Sequence, residues 1–152
     1  MASYFPMFVN LENKQVRVFG GGVIAARRVK VLLEFGAKVQ VAAPNISEEL
    51  KKTAQAQENL RLEYREYRFG ELQEENTDIV IAATDDEQVN DMIFRECTHK
   101  DIPVNVTSDK EKCDFYFPGI IRQGDVTVGV TTGGKDHKKA AEVTEQIRRL
   151  LK

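Results

Sequence analysis

The sequence has few of the residues that mark a metal-binding or disulfide-bonded protein. It contains two cysteines and two histidines in 152 residues. Cys97 and Cys113 are too few and too far apart for a zinc knuckle, and in a reducing compartment they are expected to be free thiols. His99 and His137 have no partner at ligand spacing, so no metal site is predicted.

Long hydrophobic runs and a strong net charge are also missing. No apolar segment approaches the ~20 residues needed to cross a bilayer, and residues 1–9 lack the basic start and long apolar segment of a secretory signal. The net charge of −2 argues against general nucleic-acid binding. We therefore expect a cytoplasmic protein of one domain with a small appendage, whose partners are neither a membrane nor a nucleic acid.

What is present is a short apolar strand pattern that runs into three glycines and then into a helical pattern. The spacing Gly20-x-Gly22-x-x-Ala25 matches the dinucleotide-binding fingerprint with alanine as its last member. Gly20 is expected to make the tight turn, Gly22 to let the backbone approach a diphosphate, and Ala25 to allow close packing of helix on strand. The N–H groups at the start of the helix then face the phosphates.

The order of elements predicts an α/β fold, with a Rossmann-like parallel sheet, helices on both faces, and then a β-hairpin and a C-terminal helix. Strands are predicted at residues 15–19, 38–43, 60–67, 78–83, 102–106, 115–121 and 125–130, and helices at residues 23–35, 47–56, 87–100 and 138–152. The last two strands form the hairpin, because only a short turn separates them. The predicted division is a dinucleotide-binding domain at residues 1–112 and a segment at residues 113–152 that suits a second function or subunit pairing.

Hydrophobic periodicity also predicts which residues face the core. Residues 4–9 are expected to lie against the sheet. The inward-facing residues are expected to be Val29, Leu32, Leu33 and Phe35 on the first helix, and Val89, Met92, Ile93 and Cys97 on the third.

The end of the second strand departs from the usual pattern. An Asp or Glu normally binds the adenosine ribose about 20 residues after the glycine turn, but Ala43-Pro44-Asn45 stands there. The Asn45 amide or backbone groups near Pro44 are the alternative ribose ligands, which leaves NAD and NADP both open. Arg27 and Arg28 either meet a 2′-phosphate or form a solvated face or another anion contact.

The apolar strand pattern at residues 78–83 ends in Thr84-Asp85-Asp86. Ligands of parallel sheets bind beyond the carboxyl ends of the strands. Thr84 and Asp85 are therefore predicted beside the glycine turn.

Short motifs follow one another in a specific order from Tyr4 to about Arg149. They are Tyr4-Phe-Pro-Met-Phe-Val-Asn-Leu11, Val18-Phe-Gly-Gly-Gly-Val-Ile-Ala25, Ala43-Pro44, Ala82-Ala-Thr-Asp-Asp86, Val89-Asn90, Val104-Asn-Val106, Cys113-Asp-Phe-Tyr-Phe-Pro118 and Thr132-Gly-Gly-Lys135. As an ordered set they resemble precorrin-2 dehydrogenase, the dehydrogenase part of siroheme synthase.

This resemblance implies an NAD-dependent oxidation of precorrin-2 to sirohydrochlorin, a step toward siroheme and, in some organisms, cobalamin. It also implies a homodimer that the hairpin region helps to join. The cofactor-binding residues that it implies are Gly20, Gly21, Gly22, Val23, Ile24, Pro44, Asn45, Thr84, Asp85 and Asn90.

The loop before the Cys-Asp-Phe motif departs from the family. Bifunctional members carry an aspartate seven residues before the Phe, assigned to dehydrogenation and iron insertion, and Ser108 stands at that position here. A serine hydroxyl is a poor base near neutral pH, so the proton acceptor is Asp109, water or a substrate carboxylate. Ser108 and Asp109 are the predicted catalytic residues, and chelatase activity is doubtful for the same reason.

Two other differences affect the substrate site. The family's Gly-Gly-Lys-Ser-Pro motif is Gly133-Gly-Lys-Asp-His137 here, and longer members continue into a helical domain beyond the position of Lys152. We therefore expect either a truncated chain or a more open tetrapyrrole site.

A tetrapyrrole with many carboxylates needs cations nearby. Arg122, Lys135, Lys138 and Lys139 are candidates, with the N–H groups of Gly133-Gly134 as a possible anion nest; the alternative is ordinary surface residues. The run Phe115-Tyr116-Phe117 either stacks on the macrocycle or, as strand residues, packs in the core and interface.

Three function classes stay open on the sequence. The first is the NAD-dependent dehydrogenase. The alternatives are a non-catalytic module that binds NAD or a tetrapyrrole, and a sirohydrochlorin ferrochelatase. A methyltransferase that uses S-adenosylmethionine fits less well, because Val23 to Ala25 closes the dinucleotide pattern.

Overall fold

The computed structural model describes residues 3–73 and 76–152. Contacts divide these residues into two compact units. The sheet unit comprises residues 10–115, and the hairpin unit comprises residues 3–9 and 116–152. No helix of the described residues is long and apolar enough to cross a membrane.

The sheet unit is built on five parallel strands, as the sequence predicts. They are β1 (Gln15–Phe19), β2 (Lys38–Ala42), β3 (Leu60–Glu63), β4 (Ile79–Ala82) and β5 (Val104–Val106). Their order in the sheet is β3-β2-β1-β4-β5, so the chain leaves one half of the sheet after β3 and begins the other half beside β1. This change of direction at β1 is the point where open α/β sheets bind ligands.

Three helices connect these strands: α1 (Val23–Glu34), α2 (Glu48–Ala56) and α3 (Glu87–Lys100). Side chains cap two of them, because Ser47 Oγ accepts from Leu50 N at 3.3 Å, and Asp86 Oδ1 accepts from Gln88 N at 2.9 Å. Each cap satisfies an N–H group that the first turn would otherwise leave unpaired. The bounds of α3 are those predicted.

The core lies on both faces of the sheet. Phe19, Val80 and Ala82 pack with Ile93 and Cys97 of α3. Because side chains alternate along a strand, Val16 and Val18 point to the opposite face, where Ala25 and Val29 of α1 are fully buried. Ala25 therefore has the small, buried position that the fingerprint predicts.

The hairpin unit contains an antiparallel pair and one helix. Its elements are β6 (Gly119–Gln123), β7 (Val126–Val130) and α4 (His137–Leu150). The helix approaches β6 closely, since a Cβ at Gly119 would lie 2.3 Å from Thr144 Oγ1. Tyr4 also belongs here, with its hydroxyl 3.0 Å from that of Tyr116.

Several packing predictions are wrong in detail. Residues 4–9 group with the hairpin unit and not with the sheet unit, and Phe5 is 87% exposed. Met92 is exposed on α3, and Glu96 takes an inward position instead. Phe115-Tyr116-Phe117 precedes β6 and is not in a strand. The predicted division at residue 112 stays a functional prediction, whereas the compact units separate after Phe115.

Candidate functional site

The glycine turn is held between the ends of three strands. Gly20 has a φ of +123°, and a Cβ there would lie 2.1 Å from Ala83 O. A Cβ at Gly21 would lie 2.2 Å from Asn45 O, and Gly21 O accepts from Ser47 N at 2.8 Å. Gly20 therefore fits the turn against the end of β4, while Gly21 fits it against the segment after β2.

Gly22 has a different environment. It is the exposed N-cap of α1, with a φ of −91° and no side-chain cap. A Cβ at this position would meet no atom within 4 Å, so packing inside the protein does not require glycine there. The space beside Gly22 and the uncapped N–H groups of α1 fit a diphosphate, whose negative charge the helix dipole favours.

The residues next to Gly22 are apolar and exposed. Val23 is 62% exposed and Ile24 is 49% exposed at the first turn of α1. Pro44 and Asn45, beyond the end of β2, are exposed as well. These four predicted cofactor residues therefore lie along an accessible rim on both sides of the buried Gly21.

Asn90 organises the segment after β4. Its Oδ1 accepts from Thr84 N at 3.2 Å and lies 2.6 Å from Thr84 Oγ1, and its Nδ2 donates to Thr84 O at 3.1 Å and to Ser108 Oγ at 3.3 Å. Asn90 is 2% exposed, so it lies behind Thr84, and Asp85 is exposed at the rim. The amide therefore ties the predicted cofactor segment to the Ser108 loop, and its own contact with a cofactor stays a prediction.

A small pocket of about 80 Å³ opens beside Ser108 and Asp109. It is lined by Glu87, Asn90, Asp91, Val106, Ser108, Asp109 and Lys112. Asp109 Oδ1 accepts from Glu111 N at 3.0 Å and so caps a short 3₁₀ turn. The side chain of Asp109 is 40% exposed, and Lys112 Nζ lies 3.6 Å from its carboxylate.

Lys112 is bound more tightly to Asp91 than to Asp109, with an Nζ to Oδ1 distance of 2.7 Å. This hydrogen bond raises the pKa of Lys112 and lowers the pKa of Asp91. The pocket therefore contains a fixed ion pair, and Asp109 is the carboxylate in it that Lys112 contacts only at longer range.

The structure separates the two arginines considered for a 2′-phosphate. Arg27 is exposed on α1. Burial lowers the pKa of Arg28, and the nearby Cys113 opposes that shift. Cys113 Sγ accepts from Val106 N at 3.3 Å, which places it against the end of β5, across the sheet from β2. Arg28 is half-buried, and contact of either arginine with a 2′-phosphate stays a prediction.

In the hairpin unit, Arg122, Lys135 and Lys138 are all exposed. Gly133 and Gly134 have positive φ angles, but Gly133 N donates to Thr131 Oγ1 at 3.0 Å. An anion nest at this turn therefore lacks the Gly133 amide that the sequence suggests.

Sequence reasoning missed three charged residues that fix the loop after β3. Glu71 binds Arg17 of β1 at 2.9 Å, and Arg17 is 3% exposed. Glu96 of α3 accepts from the Tyr67 hydroxyl, from Gly70 N and from Leu72 N. An arginine inside an apolar strand, and a glutamate on the helix face that carries Ile93 and Cys97, were the signals available.

Comparison with known proteins agrees with this geometry. Residues 7–119 match a family described as "Putative NAD(P)-binding". The chain belongs to this family. Among the described residues, no group of three or more His, Cys, Asp and Glu side chains is arranged to hold a metal ion.

Similar proteins include siroheme synthases and a siroheme biosynthesis protein. The chain is 40% identical over 151 residues to a siroheme synthase of Photorhabdus laumondii. This match covers 97% of this chain and 31% of that protein. It is 37% identical over 147 residues to a "Probable multifunctional siroheme biosynthesis protein HemA" of Ruminiclostridium josui, which covers 96% and 28% respectively. The chain thus spans about a third of the length of such relatives.

The fold is also that of a solved structure. "SirC, precorrin-2 dehydrogenase" superposes with a TM-score of 0.80 and 25% sequence identity, covering 98% of this chain and 72% of that one. The Rossmann-like sheet, the hairpin and the C-terminal helix predicted from the sequence are confirmed, as is the resemblance to the dehydrogenase part of siroheme synthase.

Proposed function

We propose that this chain is an NAD-dependent dehydrogenase that oxidises precorrin-2 to sirohydrochlorin in siroheme biosynthesis, and in some organisms toward cobalamin. The observation that carries the proposal is the exposed, uncapped start of α1 at Gly22, with open space where a side chain would stand. The likeness to siroheme synthases and to a precorrin-2 dehydrogenase supports the choice of substrate. We infer a cytoplasmic location, where thiols such as Cys97 and Cys113 stay reduced.

The residues around the glycine turn hold the cofactor in this proposal. NAD, when bound, supplies the hydride acceptor. The first N–H groups of α1, at Val23 and Ile24, bind the diphosphate, and Pro44 and Asn45 lie at the ribose. Thr84 and Asp85 border the cleft on the β4 side, where Asn90 fixes the Thr84 backbone.

Oxidation of precorrin-2 releases a proton as well as a hydride, and we propose that Asp109 takes the proton. Its carboxylate is partly exposed and lines the pocket next to Ser108. Ser108 Oγ accepts from Asn90 and is not acidic or basic enough to replace it. Asp91 is a poorer candidate, because Lys112 lowers its pKa.

Replacing Asp109 with asparagine tests this assignment. Asparagine still caps the 3₁₀ turn, so the variant is expected to fold, while the turnover of precorrin-2 falls by about 10²- to 10⁴-fold because the proton acceptor is lost. The measurement is the growth of reduced-cofactor absorbance when NAD and precorrin-2 are supplied. Glu111→Gln removes the same charge from an exposed residue of the same 3₁₀ turn; it is the matched control and should retain activity within about threefold.

The same assay separates the alternatives. Asp109→Asn with wild-type turnover would show that water or a substrate carboxylate accepts the proton. Wild-type chain that binds NAD without reducing it would be a non-catalytic binding module. Metal insertion into sirohydrochlorin without NAD would instead identify a chelatase, and Ser108→Asp would then raise that activity.

Cations of the hairpin unit are proposed to bind the substrate. Precorrin-2 carries many carboxylates, and Arg122, Lys135 and Lys138 are exposed there. Exposed cations attract such a substrate from solution and orient it. The Gly133 N–H already donates to Thr131. In this proposal the positive charge at the turn therefore comes mainly from these side chains and less from backbone amides.

We propose that the chain forms a homodimer through the hairpin unit. Phe5, Met7 and Phe8 are 87%, 75% and 74% exposed, which is unusual for three large apolar residues so close together. A second copy that covers them removes this surface from water. Light scattering should give twice the mass of the chain, and Phe5→Glu with Phe8→Glu should give the monomer; a wild-type monomer would contradict the proposal.

A further inference from the structure

The loop after β3 meets the end of β2 close to the glycine turn. Arg65 N donates to Ala43 O at 3.2 Å, and Ala43 N donates to Glu63 O at 3.1 Å. Two residues further on, Asn45 contacts Gly21. Arg65 therefore belongs to the rim at which a dinucleotide fold binds the adenosine ribose.

The Arg65 guanidinium is fixed by two carboxylates. Its Nε lies 2.6 Å from Glu63, and its Nη1 and Nη2 lie 3.0 Å and 2.7 Å from the two oxygens of Glu71. The hydrogen bonds from Arg65, to Glu71 above all, raise the pKa of Arg65. This bidentate geometry is the strong form of an arginine–carboxylate pair, so the charge is both held in place and compensated.

The partners of the two carboxylates show where the guanidinium is held. Glu71 also binds Arg17 of β1, and Glu63 also accepts from Gln40 of β2. Arg17 and Gln40 are neighbours in register, two residues before the ends of their strands. Because a strand rises ~3.3 Å per residue, these anchors lie roughly 7 Å below the rim. These contacts hold the Arg65 guanidinium below the rim, over one face of the sheet.

We propose that Glu63 and Glu71 make this site selective for NAD over NADP, by holding Arg65 away from the 2′ position of the ribose. The inference rests on the proposed function, since it needs a dinucleotide at the glycine turn. An arginine near the end of β2 is the usual partner of the NADP 2′-phosphate. In this chain Arg65 is the arginine at that rim, and it is bound to Glu63 and Glu71. The Glu63 carboxylate is 33% exposed and repels a phosphate at the same rim.

Calorimetric titration with NAD and with NADP tests the proposal. The wild-type chain should bind NAD at least about tenfold more tightly than NADP, because the 2′-phosphate meets the Glu63 carboxylate and an Arg65 guanidinium that is already bound to Glu63 and Glu71. Glu63→Gln removes one carboxylate and leaves the Arg17–Glu71 pair. We expect this variant to reduce the NAD-to-NADP affinity ratio by about tenfold, through tighter NADP binding.

Two further chains make the test specific. Glu58→Gln removes the same charge from an exposed residue before β3 and should keep the wild-type ratio. Adding Arg65→Ala to Glu63→Gln should remove the part of the gain in NADP affinity that depends on the guanidinium, and thermal unfolding checks that each variant is folded. If the double variant does not fold, the test is the comparison of the NAD-to-NADP affinity ratio between Glu63→Gln and Glu58→Gln.

The outcomes separate this inference from the proposed function. Equal wild-type affinity for the two nucleotides, or an unchanged ratio in Glu63→Gln, would overturn the selectivity mechanism alone. A gain in NADP affinity that persists in full without Arg65 would overturn the role of Arg65 in it. A wild-type chain that binds neither nucleotide would overturn the dinucleotide site itself, and the selectivity with it.

Discussion

Replacing Glu71 with glutamine is expected to lower the free energy of unfolding by about 3–5 kcal/mol. Glu71 lies between two guanidinium groups, at 2.9 Å from Arg17 and 2.7 Å from Arg65. Its side chain is 12% exposed and that of Arg17 is 3% exposed. Removing the negative charge leaves two cations close together in a poorly solvated place, which costs far more than losing a surface pair.

Urea unfolding of the wild type and the variant measures this difference. Glu48→Gln is the matched control, because the Glu48 side chain is 79% exposed and pairs with Lys51; it should leave the unfolding midpoint unchanged. A Glu71→Gln midpoint equal to that of the control would mean that the Arg17–Glu71–Arg65 cluster does not stabilise the fold.

The same carboxylate should make stability depend on pH. Burial acts to raise the pKa of Glu71, but hydrogen bonds from Arg65 and from Arg68 N, with the charges of Arg65 and Arg17, lower it below its ordinary value of 4.5. A group with a lowered folded-state pKa stabilises the protein above its unfolded-state pKa. That contribution is lost as the pH falls through the folded-state pKa, so the difference between the wild type and Glu71→Gln should narrow below about pH 4.5.

Helix α3 and the Glu71 ion pair differ in how far apart along the chain their determining residues lie, and this difference explains what the sequence predicts well. The bounds of α3 follow from local signals, since Asp86 caps its start and Asp101 ends it with a φ of +56°. The ion pair between Arg17 and Glu71 joins residues 54 positions apart. No periodic pattern or cap reports such a contact, because it depends on the loop after β3 folding back over the sheet.

The candidate site divides in the same way. The glycine turn and the Thr84 segment are predictable, because a fingerprint and the parallel-sheet rule both concern strand ends. The bond from Asn90 to Ser108 connects α3 with a loop 18 residues away and needs the folded chain to be seen. For the same reason, the sequence does not show that the segment containing Phe5 groups with the hairpin unit.

Replacing Gly22 with serine is expected to weaken NAD binding by about 30- to 100-fold while leaving the fold as stable as the wild type or slightly more stable. Serine is a better N-cap than glycine by a few tenths of a kcal/mol, and the φ of −91° and the open space at Gly22 accept a side chain. Its hydroxyl would occupy the N–H groups of α1 that the diphosphate needs. Calorimetric titration with NAD and urea unfolding measure the two effects separately.

Gly20→Ala is the contrasting variant at the same turn. Its Cβ would lie 2.1 Å from Ala83 O at a φ of +123°, so it should destabilise the fold by several kcal/mol. Loss of NAD binding in Gly22→Ser with intact stability, and loss of stability in Gly20→Ala, would separate the glycine that contacts the cofactor from the glycine that the turn requires. Wild-type NAD affinity in Gly22→Ser would instead show that the start of α1 does not bind the diphosphate, and the proposed cofactor site would have to be abandoned.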